Sequence, residues 1–238
     1  MATPLRVLTY NIRKGKGASG RAHHDVAEVG RALAAQRADL VLCQEVFHGH
    51  ASRAAQSREL AEATGLVHYY RPNKHRRTGH HGNATLSRLP VAHVENHDVS
   101  TNRIERRGAL YTRVDVHGRP LHVLNVHLSL SHRQREKQLR RISSFIAGVA
   151  GRHEPIVLAG DFNDWPGRLD ATIVGQLGFT NVFGSPARTP TWHARRPVFN
   201  LDRVYVRNVN AVGAERLHGE PWDELSDHLP LAVDLEIC

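Results

Sequence analysis

Pro155-Ile156-Val157-Leu158-Ala159-Gly160-Asp161-Phe162-Asn163-Asp164-Trp165-Pro166-Gly167 is a short apolar run stopped by glycine and followed by polar groups. Its β-branched residues predict a buried strand with a carboxylate and a carboxamide at its end. In extended backbone, residues two apart face the same way, so Asp161 and Asn163 project together while Phe162 packs opposite. An Asx-rich turn closed by Trp165-Pro166-Gly167 is the competing reading. The rest of the chain decides between them.

Outward from this stretch, a helical run from Leu169 to Leu177 closes at Gly178. Upstream, Ser131-His132-Arg133-Gln134 has the spacing of a capping box, and Leu139, Ile142, Phe145, Ile146 and Val149 follow at helical intervals. Before that helix, Gly108–Val116 and Leu121–Leu128 form a β-hairpin turned at His117-Gly118-Arg119-Pro120. On its returning strand Leu121, Val123, Asn125 and His127 share one face, and both faces are apolar enough to be buried. Leu5–Asn11 and Asp39–Glu45 read as strands flanking a helix with apolar positions Val26, Val29, Leu33 and Ala34. Lys14-Gly15-Lys16-Gly17 reads as a flexible basic loop. A second helix ends at Thr64-Gly65, and Gly82–Pro90 supplies another strand. The stretch from Arg71 to His81 shows no apolar periodicity and is expected to be a mobile basic surface loop, with Arg76 and Arg77 free to meet phosphates. After a proline-bearing loop at 189–197, Asn200–Val206 reads as a strand, and Ser226-Asp227-His228 leads into a final one. Strands alternating with helices, plus a hairpin, imply a layered α/β fold.

The chain has 238 residues, enough for one sizeable core, and a single domain over residues 1–238 is expected. Lys and Arg number 32 against 23 Asp and Glu, giving a formal charge of +9 that favours anionic partners. Two cysteines, Cys43 inside an apolar run and Cys238 at the end, exclude a disulfide scaffold and point to a reducing compartment. No leader-like apolar segment and no membrane-spanning run is visible, so a soluble, cytoplasmic monomer without stable membrane insertion is expected.

Strand ends and adjacent loops thus offer Asn11, Glu45, Asn125 with His127, Asp161 with Asn163, Asp202, and Asp227 with His228. Carboxylates, carboxamides and histidines recurring at strand ends make the set that metal-assisted phosphate chemistry needs. The motifs Thr9-Tyr10-Asn11-Ile12, Gln44-Glu45-Val46, Gly82-Asn83-Ala84, Asn125-Val126-His127-Leu128, Gly160-Asp161-Phe162-Asn163, Leu201-Asp202-Arg203-Val204 and Ser226-Asp227-His228-Leu229-Pro230 occur in that order. In these the chain resembles the endonuclease/exonuclease/phosphatase superfamily over nearly its whole length.

The resemblance implies a four-layered α/β sandwich, with two facing mixed β-sheets flanked by helices and a metal-dependent phosphoesterase site across the top. By matching motifs, Glu45 would ligate a divalent ion with Asn11 and Asp227 near it, and oxygen ligands suit Mg2+ or Mn2+. Asp202 would orient His228. Either His228 or Asp161 would take the proton from the attacking water, and Asn163 would hold the phosphate or nucleophile in line. His127 would donate to a phosphate oxygen or protonate the leaving oxygen, although Thr85-Leu86-Ser87 stands where some members carry an acid supporting that histidine. Asn83, Asn125 and Arg107 would contact substrate. The substrate class expected is nucleic acid, DNA ahead of RNA, with a DNA endonuclease as first reading. A phospholipid or sphingolipid phosphodiesterase or phosphatase of the same fold is the alternative, disfavoured by the lack of an evident exposed apolar hairpin. A catalytically silent nucleic-acid-binding module is a third reading, at odds with the complete set of acids and histidines.

Overall fold

The computed structural model describes residues 2–20, 25–50, 55–184 and 189–237; Cys238 lies outside them. In chain order the first half runs β1 (Thr3–Asn11), α1 (Val26–Ala35), β2 (Leu40–Gly49), α2 (Gln56–Thr64), β3 (Val67–Arg76), β4 (Gly79–Ser87), β5 (Val91–Asp98), β6 (Gly108–Val116) and β7 (Arg119–His127). The second half runs α3 (His132–Val149), β8 (Ile156–Asp161), α4 (Asp170–Gly175), β9 (Thr180–Asn181), β10 (Asp202–Arg207), β11 (Asn210–Arg216), α5 (Trp222–Leu225) and β12 (Leu231–Ile237). These strands form two six-stranded sheets, ordered β11-β12-β1-β2-β4-β3 and β5-β6-β7-β8-β10-β9. Both are mixed: β1–β2 and β7–β8 pair parallel and their other neighbours antiparallel.

Three apolar layers hold four structural layers together. Leu5, Val7, Leu40, Leu42 and Val233 of one sheet meet Val123, Val157, Ala159 and Val204 of the other. On the outer face of the first sheet, Leu8, Tyr10 and Val41 pack against Val29 and Leu33 of α1 and Leu60 of α2. On the outer face of the second, Leu124, Val126 and Leu158 pack against Leu139, Ile142 and Ile146 of α3 and Ile173 of α4. The alternation along each central strand therefore feeds two cores at once, which is why those strands read as continuous apolar runs. This is the expected α/β sandwich.

Several local expectations are corrected. Arg71–His81 is not a mobile loop: it belongs to the β3–β4 hairpin, paired from Val67↔Ser87 to Arg76↔Gly79. β3 lies at a sheet edge and carries large polar and aromatic rings, so its pattern lacks a clean apolar period. The rings stack on one another instead, with His48 and Tyr70 centroids 3.8 Å apart and a 2.8 Å hydrogen bond between Tyr70 Oη and His80 Nδ1. Lys14 and Gly15 sit in a 3₁₀ turn, Arg13–Gly15, rather than a flexible loop. The Arg13 guanidinium fastens the segment by donating to the carbonyls of Gly17 and Ala18. Ser131 precedes α3 in extended backbone but makes no side-chain cap bond. Gln138 braces the entry instead, accepting from Ser129 N and donating to Ser129 Oγ.

Candidate active site

The inward positions of the central strands change from apolar to polar at one end. Along β1 they run Leu5, Val7, Thr9, Asn11; along β8, Val157, Ala159, Asp161; along β7, Leu121, Val123, Asn125, His127. The antiparallel β10 reaches the same end at its first residue, Asp202, which pairs with Asp161. Period-two alternation thus carries each side chain to the seam between the sheets. Gly160 permits the last step: at φ +138° a Cβ would lie 2.0 Å from the Val126 carbonyl oxygen.

The stretch from Pro155 to Gly167 is both strand and turn. Asp161 ends β8, and its Oδ1 accepts from Asn163 N at 2.9 Å in an Asx turn, with Asn163 at φ +50°. Asn163 Nδ2 donates to the Leu128 carbonyl, and Asn11 Nδ2 crosses between the sheets to Asp161 Oδ2 at 2.9 Å. Asp202 Oδ2 accepts from His228 Nδ1 at 2.8 Å and from Thr191 Oγ1 at 2.6 Å. The other ring nitrogen of His228 lies 3.9 Å from Asp161 Oδ2, and His127 Nε2 lies 3.4 Å from the same oxygen.

Burial opposes a charge on His228, but the Asp202 carboxylate and then Asp161 outweigh it and raise its pKa well above the histidine range. Both carboxylates thus favour the protonated form of the His228 ring. Burial raises Asp161; His228 pulls it down and Asp202 pushes it up, leaving it above the usual carboxylate range. His127 goes the other way. Burial, reinforced by Arg107 and His228, lowers its pKa and keeps it uncharged.

Glu45 reaches this cleft by a backbone irregularity. The β2–β4 register shifts between Cys43 and Val46, and Glu45 sits at φ +56° in the bulge. It pairs with the Lys14 ammonium. Burial disfavours its charge, yet Lys14, with His228 and His81 farther off, holds the carboxyl below its ordinary value. The cleft, about 510 Å³, is lined by Asn11, Glu45, Arg107, His127, Asp161, Asn163 and His228 on its polar side. Its other side is apolar: Leu130, Trp165, Trp192, Phe199 and Leu201. Trp165 is 60% and Leu130 75% exposed, and Trp165 meets Phe199 edge-on at 5.5 Å.

Asn83, Asn125, Asp227, Arg76 and Arg77 are not among the cleft-lining residues. Asn125 is fully buried and its amide is used up between the sheets: it donates to the carbonyls of Cys43 and Ala84 and accepts from Gln44 Nε2. Asn125 thereby acts as a cross-sheet clamp. Asn83 donates to the carbonyls of Gly108 and Asn125 in the same seam. Asp227, next to His228, accepts from Nε1 of the cleft-lining Trp192 and pairs with Arg13 at the edge of the cleft. Arg76 and Arg77 lie at the exposed β3–β4 tip and do not line the cleft. Sequence reading missed Thr191, Lys14 in its contact with Glu45, and the aromatic wall; only the Trp192 and Trp165 loops carried any signal, as aromatics among turn residues.

Among the described residues, one trio of acids and histidines brings ligand atoms within 4.8 Å of one another: Asp161, Asp202 and His228. His228 Nδ1 is engaged by Asp202, and Asp161 and Asp202 accept further hydrogen bonds from Asn11 and Thr191 respectively, so the trio's donor atoms are already engaged as an acid–base cluster. A hard cation fits Glu45 better. That carboxylate faces the cleft, already holds a cation in Lys14, and has oxygen donors and no thiol around it.

Two mixed sheets between helices, with acids and histidines gathered across one rim, define an α/β sandwich with a polar site along its seam. Residues 8–228 match the model of the Endonuclease/Exonuclease/phosphatase family, and the chain belongs to that family. The uncharacterized protein YbhP of Escherichia coli K12 is 36% identical over 248 residues, spanning 98% of this chain and 96% of that protein. The crystal structure of an endonuclease/exonuclease/phosphatase from Beutenbergia cavernae superposes with a TM-score of 0.84 at 23% identity, covering 98% of this chain and 72% of that one. A mannosyl-6-phosphatase of Bacteroides thetaiotaomicron superposes with a TM-score of 0.73 at 16% identity, covering 97% and 99%. The two structures share the fold.

Proposed function

We propose that this chain is a magnesium- or manganese-dependent phosphodiesterase acting on nucleic acid, with a DNA endonuclease as the first reading. The observation that carries it is the Asp202–His228 pair set against Asp161 on the cleft floor, with Glu45 on the wall. Glu45 would hold the ion, and Asn11 and Asp227 would reach it directly or through water. When bound, the ion offsets charge on the phosphoryl oxygens. Asp202 keeps His228 protonated and aimed into the cleft, so its Nε2–H suits a phosphoryl oxygen. Asp161 and His228 act as one proton-sharing unit, and in this reading Asp161 takes the proton from the attacking water. Asn163 orients the nucleophile or phosphate. Neutral His127 offers a hydrogen bond to a phosphoryl or leaving oxygen. Arg107 and Lys14 add positive charge at the cleft, and Arg76 and Arg77 extend it along the hairpin. A cytoplasmic monomer belongs to the same reading, and the buried free thiol of Cys43 fits a reducing compartment.

One observation favours a second reading. Leu130, Trp165, Val198 and Phe199 are exposed, and three of them line the cleft, an apolar rim that the sequence did not disclose and that suits a phospholipid or sphingolipid diester. Purified protein should be assayed with magnesium, manganese or chelator on plasmid DNA, RNA, phospholipid vesicles and a soluble diester. Metal-dependent plasmid cleavage lost in Glu45→Ala and in His228→Ala is the expected result. Lipid hydrolysis without nuclease activity would replace the first reading by the second.

A further inference from the structure

Beyond the cleft, a second cavity of about 500 Å³ opens between β3 and β5, with the 99–107 segment as its third wall. Lys74, Arg103, Arg106 and Arg107 line it against one carboxylate, Asp98, which pairs with Arg106 at 3.5 Å. Arg107 lines this groove and the catalytic cleft alike, so the two adjoin at one residue. Its guanidinium gives one nitrogen to Glu105 at 2.8 Å, while its buried Nε has no protein partner among the described residues. Lys74 and Arg103 have no carboxylate within ion-pair distance among the described residues.

The floor of the groove is built across the two sheets. Asn96 Nδ2 of β5 donates to Asn73 Oδ1 and to the Pro72 carbonyl of β3. Gly108 lets these amides close in, since a Cβ there would lie 2.3 Å from Asn73 Oδ1. Lys74 stands on this floor and Arg103 and Arg106 on the 99–107 wall, and clefts lined by one sign of charge concentrate counter-ions. From this arrangement we infer that the groove is a second phosphate subsite: it holds the neighbouring phosphate of a nucleic-acid strand whose scissile phosphate lies in the cleft. The inference rests on the phosphodiesterase reading above and extends it to a substrate with more than one phosphate. It also moves the main backbone contact from Arg76 and Arg77 at the hairpin tip to Lys74 and Arg103 beside the cleft.

The test compares a tetranucleotide with a dinucleotide, which has a single phosphodiester. Hydrolysis is measured with magnesium, and binding of the fluorescently labelled tetranucleotide is measured by anisotropy in chelator. Three proteins are compared: wild type, Lys74→Ala with Arg103→Ala, and Arg119→Ala with Arg113→Ala as an equal loss of charge on the distant β6–β7 hairpin. Thermal melts verify that all are folded. The expected result is that the wild-type preference for the tetranucleotide falls about tenfold or more in the groove variant and holds in the hairpin variant. The log–log salt slope of tetranucleotide binding should shrink by about 2 in the groove variant alone. Hydrolysis with unchanged preference and binding, or equal loss in both variants, would overturn the subsite while leaving the nuclease reading in place. Tetranucleotide binding lost in the groove variant, with no nucleotide hydrolysed by the wild type, would keep the groove as an oligonucleotide site and overturn the nuclease reading.

Discussion

Asp202 sets the charge of the histidine beside it, and a single atom change tests that. In Asp202→Asn the negative partner of His228 Nδ1 is gone while the side-chain shape remains. The His228 pKa should fall, seen by NMR titration of its ring in metal-free protein, and kcat should drop on the order of 10²–10⁴-fold. An unmoved His228 titration would contradict the assignment. Thr191 belongs to the same account, because its hydroxyl donates to Asp202 Oδ2 and accepts from Asp202 N. Gly160 is the other decisive residue. Its positive φ and the Val126 carbonyl 2.0 Å from a would-be Cβ leave no room for a side chain. Gly160→Ala should therefore cost about 2 kcal/mol or more in urea unfolding.

At the scale of elements, the β2 bulge and the β3–β4 hairpin depart most from strand grammar. Regular alternation would turn Glu45 to the outer face with Cys43; the bulge turns it to the cleft. The hairpin stacks His48 on Tyr70 and sets His68 and His80 nearby, joined through Ser57 Oγ and Tyr70 Oη. Burial, with His80 and His68 adding repulsion, pushes His48 down to about 4, and burial lowers His68 and His80 as well. Each of these groups is harder to protonate in the folded protein than in the unfolded chain. Above the ordinary value of 6.5 they do not affect the balance. As pH falls from there toward about 4, the unfolded chain binds protons that the folded one refuses, and stability declines. Urea midpoints should drop between about pH 7 and pH 5, and His48→Phe should flatten that drop.

For the whole molecule, the two sheets are locked by polar groups as well as by the apolar layer. Asn125 of one sheet binds Cys43, Ala84 and Gln44 of the other. Asn125→Ala removes two buried bonds to the Cys43 and Ala84 carbonyls and one from Gln44, whose amide keeps Thr9 and Leu42, and should lower unfolding free energy by about 3 kcal/mol. Equal stability of wild type and variant would refute the clamp. The strand-helix order, the two apolar faces of the central strands, and the polar residues that end β1, β8 and β10 were all legible in the residues, because period-two alternation is a local property. So were Asp202 and His228 as members of one motif set. Pairing across the seam was not: Asn11 and Asp161 meet although 150 positions apart, and nothing near either one encodes that contact. The edge hairpin escaped notice because its stacked polar rings hide the period, and Glu45's direction because a bulge breaks it. Asp227 turning to Arg13 and Trp192, Lys14 covering Glu45, and Arg107 joining cleft to groove likewise follow from register between distant segments. Sequence therefore determined which side chains arrive at the rim, and tertiary structure decided which of them face one another, since alternation is set within a strand and distance is set between sheets.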